Sequence, residues 1–105
     1  MASNIQGVIY LLHFVDADGR HVRYRHAGHY TGWVHSSRFL APRLGAHTDG
    51  TGARLMAVIA QAGIGFQLAR TWNGDRYRER ALKRQGGASR RCPICQADRR
   101  RRGRG

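Results

Sequence analysis

The sequence is poor in acidic side chains and holds a single lysine. Six Asp and Glu stand against 19 Lys and Arg over 105 residues, which gives a formal net charge of +13. Lys83 is the only lysine among those basic residues, and the others are arginines. A guanidinium group binds phosphate through two parallel hydrogen bonds, which an ammonium group cannot do. The excess of basic side chains therefore predicts an acidic partner.

Long hydrophobic runs are also lacking. The apolar run over residues 8–12 stops at His13, and no apolar run in the sequence is longer than six residues, whereas a membrane span needs about 20. The sequence therefore excludes a membrane-spanning protein, and we expect no membrane partner. Residues 1–6 show no positive patch followed by an apolar stretch, so we expect no secretory signal and a reducing, cytoplasmic setting.

Cysteine is scarce, and the two that occur form the motif Cys92-Pro-Ile-Cys95. In a reducing compartment such a pair is a pair of free thiols or half of a metal site. A structural zinc site needs four ligands, so the missing half would come from histidines such as His26 or His29, or from a second chain. A thioredoxin-like redox pair is disfavoured because an Arg-rich loop, and no strand, precedes the motif.

The chain divides by composition into a folded domain over residues 1–88 and a Cys-pair and Arg-rich tail over residues 89–105. The tail ends in four arginines followed by Gly-Arg-Gly, with no apolar side chain to bury. We therefore predict that the tail is disordered and available for phosphate contact.

Hydrophobic patterning predicts three strands and three helices in the folded domain. The strands are expected over residues 5–15, 28–34 and 65–71, and the helices near residue 42, over 53–62 and over 75–85. The resulting order is β-β-α-α-β-α. It predicts an α+β fold with a small three-stranded sheet, mixed or antiparallel, flanked by helices.

Glu79 is the only glutamate in the chain, and it lies within a basic helical segment. A surface salt bridge is one interpretation. Another arises because Arg43 and His47 share a helix face at a spacing of four, and Tyr10 and Tyr30 can lie side by side on paired strands. A phosphodiester hydrolase needs a water-positioning group, a cation for the phosphate and a carboxylate that holds a divalent metal.

Four short motifs follow one another in the chain: Val-Ile-Tyr ending at Tyr10, Tyr-Thr-Gly beginning at Tyr30, Arg-Leu-Gly-Ala-His from Arg43, and Glu-Arg-Ala-Leu-Lys from Glu79. Their order resembles that of the GIY-YIG nuclease domain over about residues 5–85. Threonine replaces the isoleucine of the second motif, and the interval between the two tyrosines is about twice the usual one. The resemblance implies the family's fold and a metal-dependent endonuclease.

The resemblance also implies a role for each motif residue. Tyr10 and Tyr30 would line the site, and Tyr30, helped by His47, would order or deprotonate the attacking water. Arg43 would hold the scissile phosphate. Glu79 would bind one Mg²⁺ or Mn²⁺, and the products would carry a 5′-phosphate and a 3′-hydroxyl.

DNA is the expected partner, with RNA left open, and a protein partner or homodimerisation would supply targeting. A non-catalytic nucleic-acid-binding protein on the same fold is the alternative, and Glu79 separates the two because a lone carboxylate repels phosphate. The cations expected to contact nucleic acid are Arg25, Arg54, Lys83, Arg84, Arg99, Arg100, Arg101 and Arg102.

Overall fold

A computed structural model of the chain describes residues 6–103. The residues 1–5 considered above for a signal, and Arg104 and Gly105 of the predicted tail, lie outside the described residues. Within residues 6–103, no helix is both long and apolar enough to cross a membrane. The elements are β1 (Gly7–Val15), β2 (His29–Val34), a 3₁₀ turn (Ser37–Phe39), α1 (Leu40–Thr48), α2 (Arg54–Gln61), β3 (Gly65–Gly74), α3 (Arg76–Gln85), α4 (Ala88–Arg91) and α5 (Pro93–Gly103).

The three strands form one antiparallel sheet in the order β2-β1-β3. This confirms the predicted α+β class and the small three-stranded sheet, and the first six elements follow the predicted order. Tyr10 pairs with Gly32 on one side and with Thr71 on the other. The first and second motifs are therefore neighbours across the β1–β2 pair.

The central strand β1 is buried on both faces, and its side chains alternate between two packing clusters. Tyr10, Leu12 and Phe14 pack with Met56 and Ile59 of α2. Leu11, at an odd position, instead packs in a second cluster with Cys92 and Cys95, to which α4 and α5 also contribute side chains. Alternation along one strand thus sends functional side chains to opposite faces of the sheet.

The C-terminal segment is helical over α4 and α5, in place of the disordered tail that composition predicted. Pro93 occupies the first helical position of α5, where its missing N–H is not needed. Ile94 and Cys95 in the same turn pack against the sheet, and Arg99 donates a hydrogen bond to the carbonyl of Ser89 at 3.2 Å. Apart from Arg99, these anchors lie upstream of the arginine run, where the absence of apolar residues had suggested disorder.

The long connection between β1 and β2 folds back along the sheet. Residue 21 forms an isolated β-bridge with Val15, and Tyr24 pairs with Ala27 around a tight turn. Arg25 at the tip has a φ of 57°, the left-handed conformation that such turns require. The fold-back brings His21 to the end of β1.

Candidate functional site

An open cleft of about 470 Å³ lies where β2, α1 and α3 meet. Three of its lining side chains are cationic and Glu79 is the only acidic one. Aromatic side chains form much of the remaining wall. The lining residues are Tyr30, Trp33, Val34, His35, Phe39, Pro42, Arg43, Ala46, Arg76, Glu79 and Lys83.

Tyr10 and His47 form a hydrogen-bonded pair that does not itself line the cleft. Both are fully buried, and the Tyr10 hydroxyl lies 2.8 Å from Nε2 of His47. The other ring nitrogen, Nδ1, is buried without a hydrogen-bond partner among the described residues. Gly52 approaches this nitrogen so closely that a Cβ there would overlap the imidazole.

Burial sets the protonation state of this pair. It raises the pKa of Tyr10, and the nearby Tyr30 raises it further, while the guanidinium of Arg43 lowers it. Burial likewise lowers the pKa of His47, and Arg43 adds to that effect. Desolvation disfavours the charged form of each group, so the pair is a neutral phenol and a neutral imidazole at pH 7.

Tyr30 lies between this buried pair and the cleft. Its ring centroid is 6.2 Å from that of Tyr10 and 5.3 Å from that of His47. On the other side, Nζ of Lys83 lies 4.9 Å from its ring centroid, within cation–π range. Gly32 leaves the space for Tyr10, because a Cβ at that position would overlap the phenol ring.

Glu79 is buried, with only 6% of its surface exposed, although it occurs in an otherwise basic helix. Asp75 fixes the start of α3 by accepting a hydrogen bond from the backbone N–H of Arg78 at 2.8 Å. Lys83, one turn after Glu79, places Nζ 2.9 Å from its Oε2. The predicted salt bridge is therefore present. It lies in the wall of a cleft, however, and not on an open, fully solvated surface.

The five residues of the four motifs come together at this place. Tyr30, Arg43 and Glu79 line the cleft, and Tyr10 and His47 lie behind its wall. One arrangement differs from the expectation. His47 is hydrogen-bonded to Tyr10 and not to Tyr30, whose ring meets the imidazole edge-on with centroids 5.3 Å apart.

Only one of the cations expected to contact nucleic acid lines the cleft, namely Lys83. Arg25 is at the tip of the β1–β2 connection, Arg54 begins α2, and Arg84 lies at the end of α3. All three are exposed. The arginines Arg99, Arg100, Arg101 and Arg102 lie on α5 and are also exposed.

Seven of the eleven cleft residues were not among the predicted site residues, and three of these have large polar or aromatic side chains with clear contacts, namely Arg76, Trp33 and Phe39. Arg76 lies three positions before Glu79 on α3, a spacing that places both on one helix face and could have identified it. Trp33 donates its indole N–H to the carbonyl of Gly74 at 2.9 Å, and Phe39 ends the 3₁₀ turn. No motif distinguishes those two aromatic residues from core residues.

A second polar cluster lies on the opposite face of β1. Ligand atoms of His13, His21, His29 and Cys95 all lie within 4.8 Å of one another, so this group could hold a metal ion. Burial and the neighbouring His21 lower the pKa of His13 to about 4, and the same causes, with His13 added, lower that of His29 to about 4. Burial and the adjacent Cys92 raise the pKa of Cys95 to about 11.

The sequence pattern predicted part of this cluster. His29 and Cys95 were expected metal ligands, whereas His26 is exposed and does not belong to the cluster. His13 was missed because it follows an apolar strand run and pairs with His29 only in the folded sheet. Cys92 and Cys95 are both buried free thiols in this structure.

Comparison of the chain with protein-family models, with curated proteins and with solved structures gave no match.

Proposed function

We propose that this protein is a metal-dependent endonuclease of GIY-YIG type that hydrolyses DNA phosphodiester bonds in the cytoplasm. The observation that carries the proposal is the meeting of five motif residues, far apart in sequence, at one cation-lined cleft. Tyrosine, arginine, histidine and glutamate at one place supply the functional groups that phosphodiester hydrolysis needs.

The cleft has the charge and size to receive a phosphodiester. Arg43, Arg76 and Lys83 contribute three positive charges to its lining. Its volume falls within the range of about 300–1,000 Å³ that is usual for ligand pockets. Arg43 is exposed on α1, so its guanidinium is available to hold the scissile phosphate and to offset charge that develops on it.

Tyr30 is the tyrosine that reaches the cleft, so its hydroxyl is the group that orients the attacking water. Tyr10 and His47 are positioning residues, because both are buried behind Tyr30 and their rings lie beside the Tyr30 ring. Their hydrogen bond fixes two rings against which the Tyr30 ring packs. A neutral pair serves this purpose without placing a buried charge beside the cleft.

Glu79 would hold the divalent metal, Mg²⁺ or Mn²⁺. It is the only carboxylate that lines the cleft, and Mg²⁺ is commonly bound through one or two carboxylates together with substrate phosphates and water. Lys83 contacts one oxygen of this carboxylate, Oε2. Such an ion, when bound, stabilises negative charge on the leaving oxygen.

The second candidate is a non-catalytic protein that binds nucleic acid through the same cleft. The contact of 2.9 Å between Lys83 and Glu79 favours it, because the ammonium neutralises the carboxylate and leaves a surface of net positive charge. In that case the ion pair itself would form part of the phosphate-binding surface. Targeting by a protein partner would suit either function.

The decisive experiment compares wild type with Glu79→Gln on plasmid, single-stranded and branched DNA. Each is incubated with Mg²⁺, with Mn²⁺ and with a chelator, and cleavage and DNA binding are measured in parallel. We expect metal-dependent cleavage by the wild type and a loss of at least about 100-fold in the variant, with DNA binding retained.

The matched control is Asp18→Asn, which removes an exposed carboxylate from a turn and should cleave like the wild type. If the wild type binds DNA but cuts none of the three forms with either metal, the binding protein is the correct assignment. Equal loss of binding and cleavage in Glu79→Gln would mean that Glu79 is structural.

A further inference from the structure

We propose that the protein binds one structural Zn²⁺ ion per chain through His13, His29, Cys92 and Cys95. The four side chains meet on the face of β1 opposite Tyr10. Nδ1 of His13 lies 3.3 Å from Sγ of Cys92, 3.6 Å from Sγ of Cys95 and 3.3 Å from Nε2 of His29. Nε2 of His29 lies 3.4 Å from Sγ of Cys95.

These separations match the edges of a zinc coordination tetrahedron. Zinc binds imidazole nitrogen at about 2.0–2.1 Å and thiolate sulfur at about 2.3 Å, so tetrahedral angles place two nitrogens about 3.3–3.4 Å apart and nitrogen from sulfur about 3.5–3.6 Å apart. The nitrogen pair at 3.3 Å and the three nitrogen–sulfur pairs at 3.3–3.6 Å agree with both values. Four of the six edges, those from His13 to the other three side chains and from His29 to Cys95, thus have the lengths expected of a zinc site.

Cys92 is a better fourth ligand than His21. The imidazole of His21 stacks on that of His13, with centroids 4.0 Å apart and planes at 18°. Imidazole lone pairs lie in the ring plane, so stacked rings direct them side by side and not toward a common ion. The rings of His13 and His29, by contrast, meet at 61°.

His21 has the contacts of a supporting residue. Its Nδ1 lies 2.8 Å from the carbonyl oxygen of Phe14, and its ring covers His13. Groups that hold a ligating imidazole in place are a regular part of metal sites. We therefore place His21 beside the ligands and not among them.

The site joins the paired strands β1 and β2 to the start of α5. His13 is on β1, His29 begins β2, and the cysteines flank the start of α5. Apart from Ile94 and Cys95, the side chains of α5 are polar or small, so hydrophobic packing supplies little energy for docking this helix. A closed site with four protein ligands leaves no position for a substrate, which is typical of structural zinc.

Metal content tests the proposal without reference to cleavage. Full-length protein without a polyhistidine tag is mixed with equimolar Zn²⁺, gel-filtered and analysed by elemental mass spectrometry, and its thiols are titrated. We expect one zinc per chain and two thiols that react only after denaturation with chelator. Cobalt substitution should give the charge-transfer absorption of a thiolate-bound ion.

Single variants identify the ligands. We expect Cys92→Ser, His13→Gln and His29→Gln to lose stoichiometric zinc, whereas His26→Gln, an exposed histidine of the same connection, should retain it. His21→Gln should also retain zinc. Loss of zinc in His21→Gln together with retention in Cys92→Ser would overturn the ligand set.

Wild-type protein keeps the proposal open to refutation even if the cysteine variants fail to fold. Absence of zinc after mixing with the ion, a Cys92–Cys95 disulfide in the purified chain, or a cobalt spectrum without thiolate absorption would each overturn it. Half a zinc per chain would replace it by a site shared between two chains. Glu79→Gln should bind zinc like the wild type, so failure of the nuclease proposal and failure of the zinc proposal are distinguishable.

Discussion

The two faces of β1 carry two different polar centres. On one face, Tyr10 meets His47 behind a cleft that opens to solvent and is lined by cations and one carboxylate. On the other face, His13 meets His29 and two cysteines in a buried cluster. Three positions along one strand separate Tyr10 from His13, and the alternation of a strand sends them to opposite sides.

The difference between the centres lies in exposure and in the type of ligand. Carboxylate oxygens suit hard ions such as Mg²⁺, and an open cleft admits the phosphates and water that complete their coordination. Imidazole and thiol groups suit zinc, and four protein ligands leave no position for a further one. The same small sheet thus separates a surface suited to chemistry from one suited to holding the fold together.

Removing Arg43, one of the three cations that line the open centre, should have the largest effect. We expect Arg43→Ala to lower the rate of cleavage by about 10²–10³-fold, the usual loss when one group that stabilises the transition state is removed. Arg43 is exposed, so the melting temperature and the zinc content should not change. Single-turnover cleavage and calorimetry measure the two quantities.

Arg80→Ala is the matched control, because Arg80 is also an exposed arginine on a helix but does not line the cleft. It should retain most of the activity. A similar loss in both variants would mean that general positive charge, and not the cleft, governs cleavage.

A methyl group at Gly32 should disturb the open face through Tyr10. The added Cβ overlaps the phenol ring, and overpacking of this kind typically costs about 1–3 kcal/mol of stability. We expect the free energy of unfolding of Gly32→Ala, measured with denaturant, to fall by that amount. Zinc binding on the other face should persist.

Gly45→Ala provides the opposite control. A Cβ at Gly45 meets no atom within 4 Å, and alanine in a helix interior is more stable than glycine by about 0.5–1 kcal/mol. This variant should therefore be more stable than the wild type. A loss of stability in Gly45→Ala would show that α1 does not tolerate a side chain there.

His47 should make stability depend on pH. Burial lowers its pKa in the folded state, whereas the unfolded chain takes up the proton near pH 6.5. The stability contributed by the neutral imidazole is therefore present above about pH 6.5 and is lost as pH falls below it. Denaturation at several pH values should show a slope that becomes smaller in His47→Gln, and an unchanged slope would contradict a neutral buried imidazole.

The arginines of α5 should have the smallest effect. Arg100 and Arg102 are exposed and distant in sequence from every cleft residue. If each contacts one DNA phosphate, the double change Arg100→Gln with Arg102→Gln lowers the slope of log K against log salt by about 0.9 per contact. Binding titrations at several salt concentrations measure this slope, and cleavage at saturating DNA should be unchanged.

The sequence predicted the first six elements because each carries a local pattern, such as the apolar face of α2 or the turn residues before α3. It also identified the motif residues, whose types and order are visible without a structure. It did not predict that α5 is helical, because two anchors, Ile94 and Cys95, are too few to stand out beside the arginines. His13 was likewise missed, since its partners lie 16 and 79 positions away in the chain.

The most direct test of two separate centres is cleavage by zinc-loaded protein with and without added Mg²⁺. Wild type and Glu79→Gln are both loaded with zinc, freed of loosely bound metal by gel filtration and incubated with plasmid. We expect both to carry one zinc per chain, and we expect cleavage only by the wild type and only after Mg²⁺ is added. Cleavage by the zinc-loaded protein without Mg²⁺, or equal cleavage by Glu79→Gln, would contradict this division between the two faces of β1.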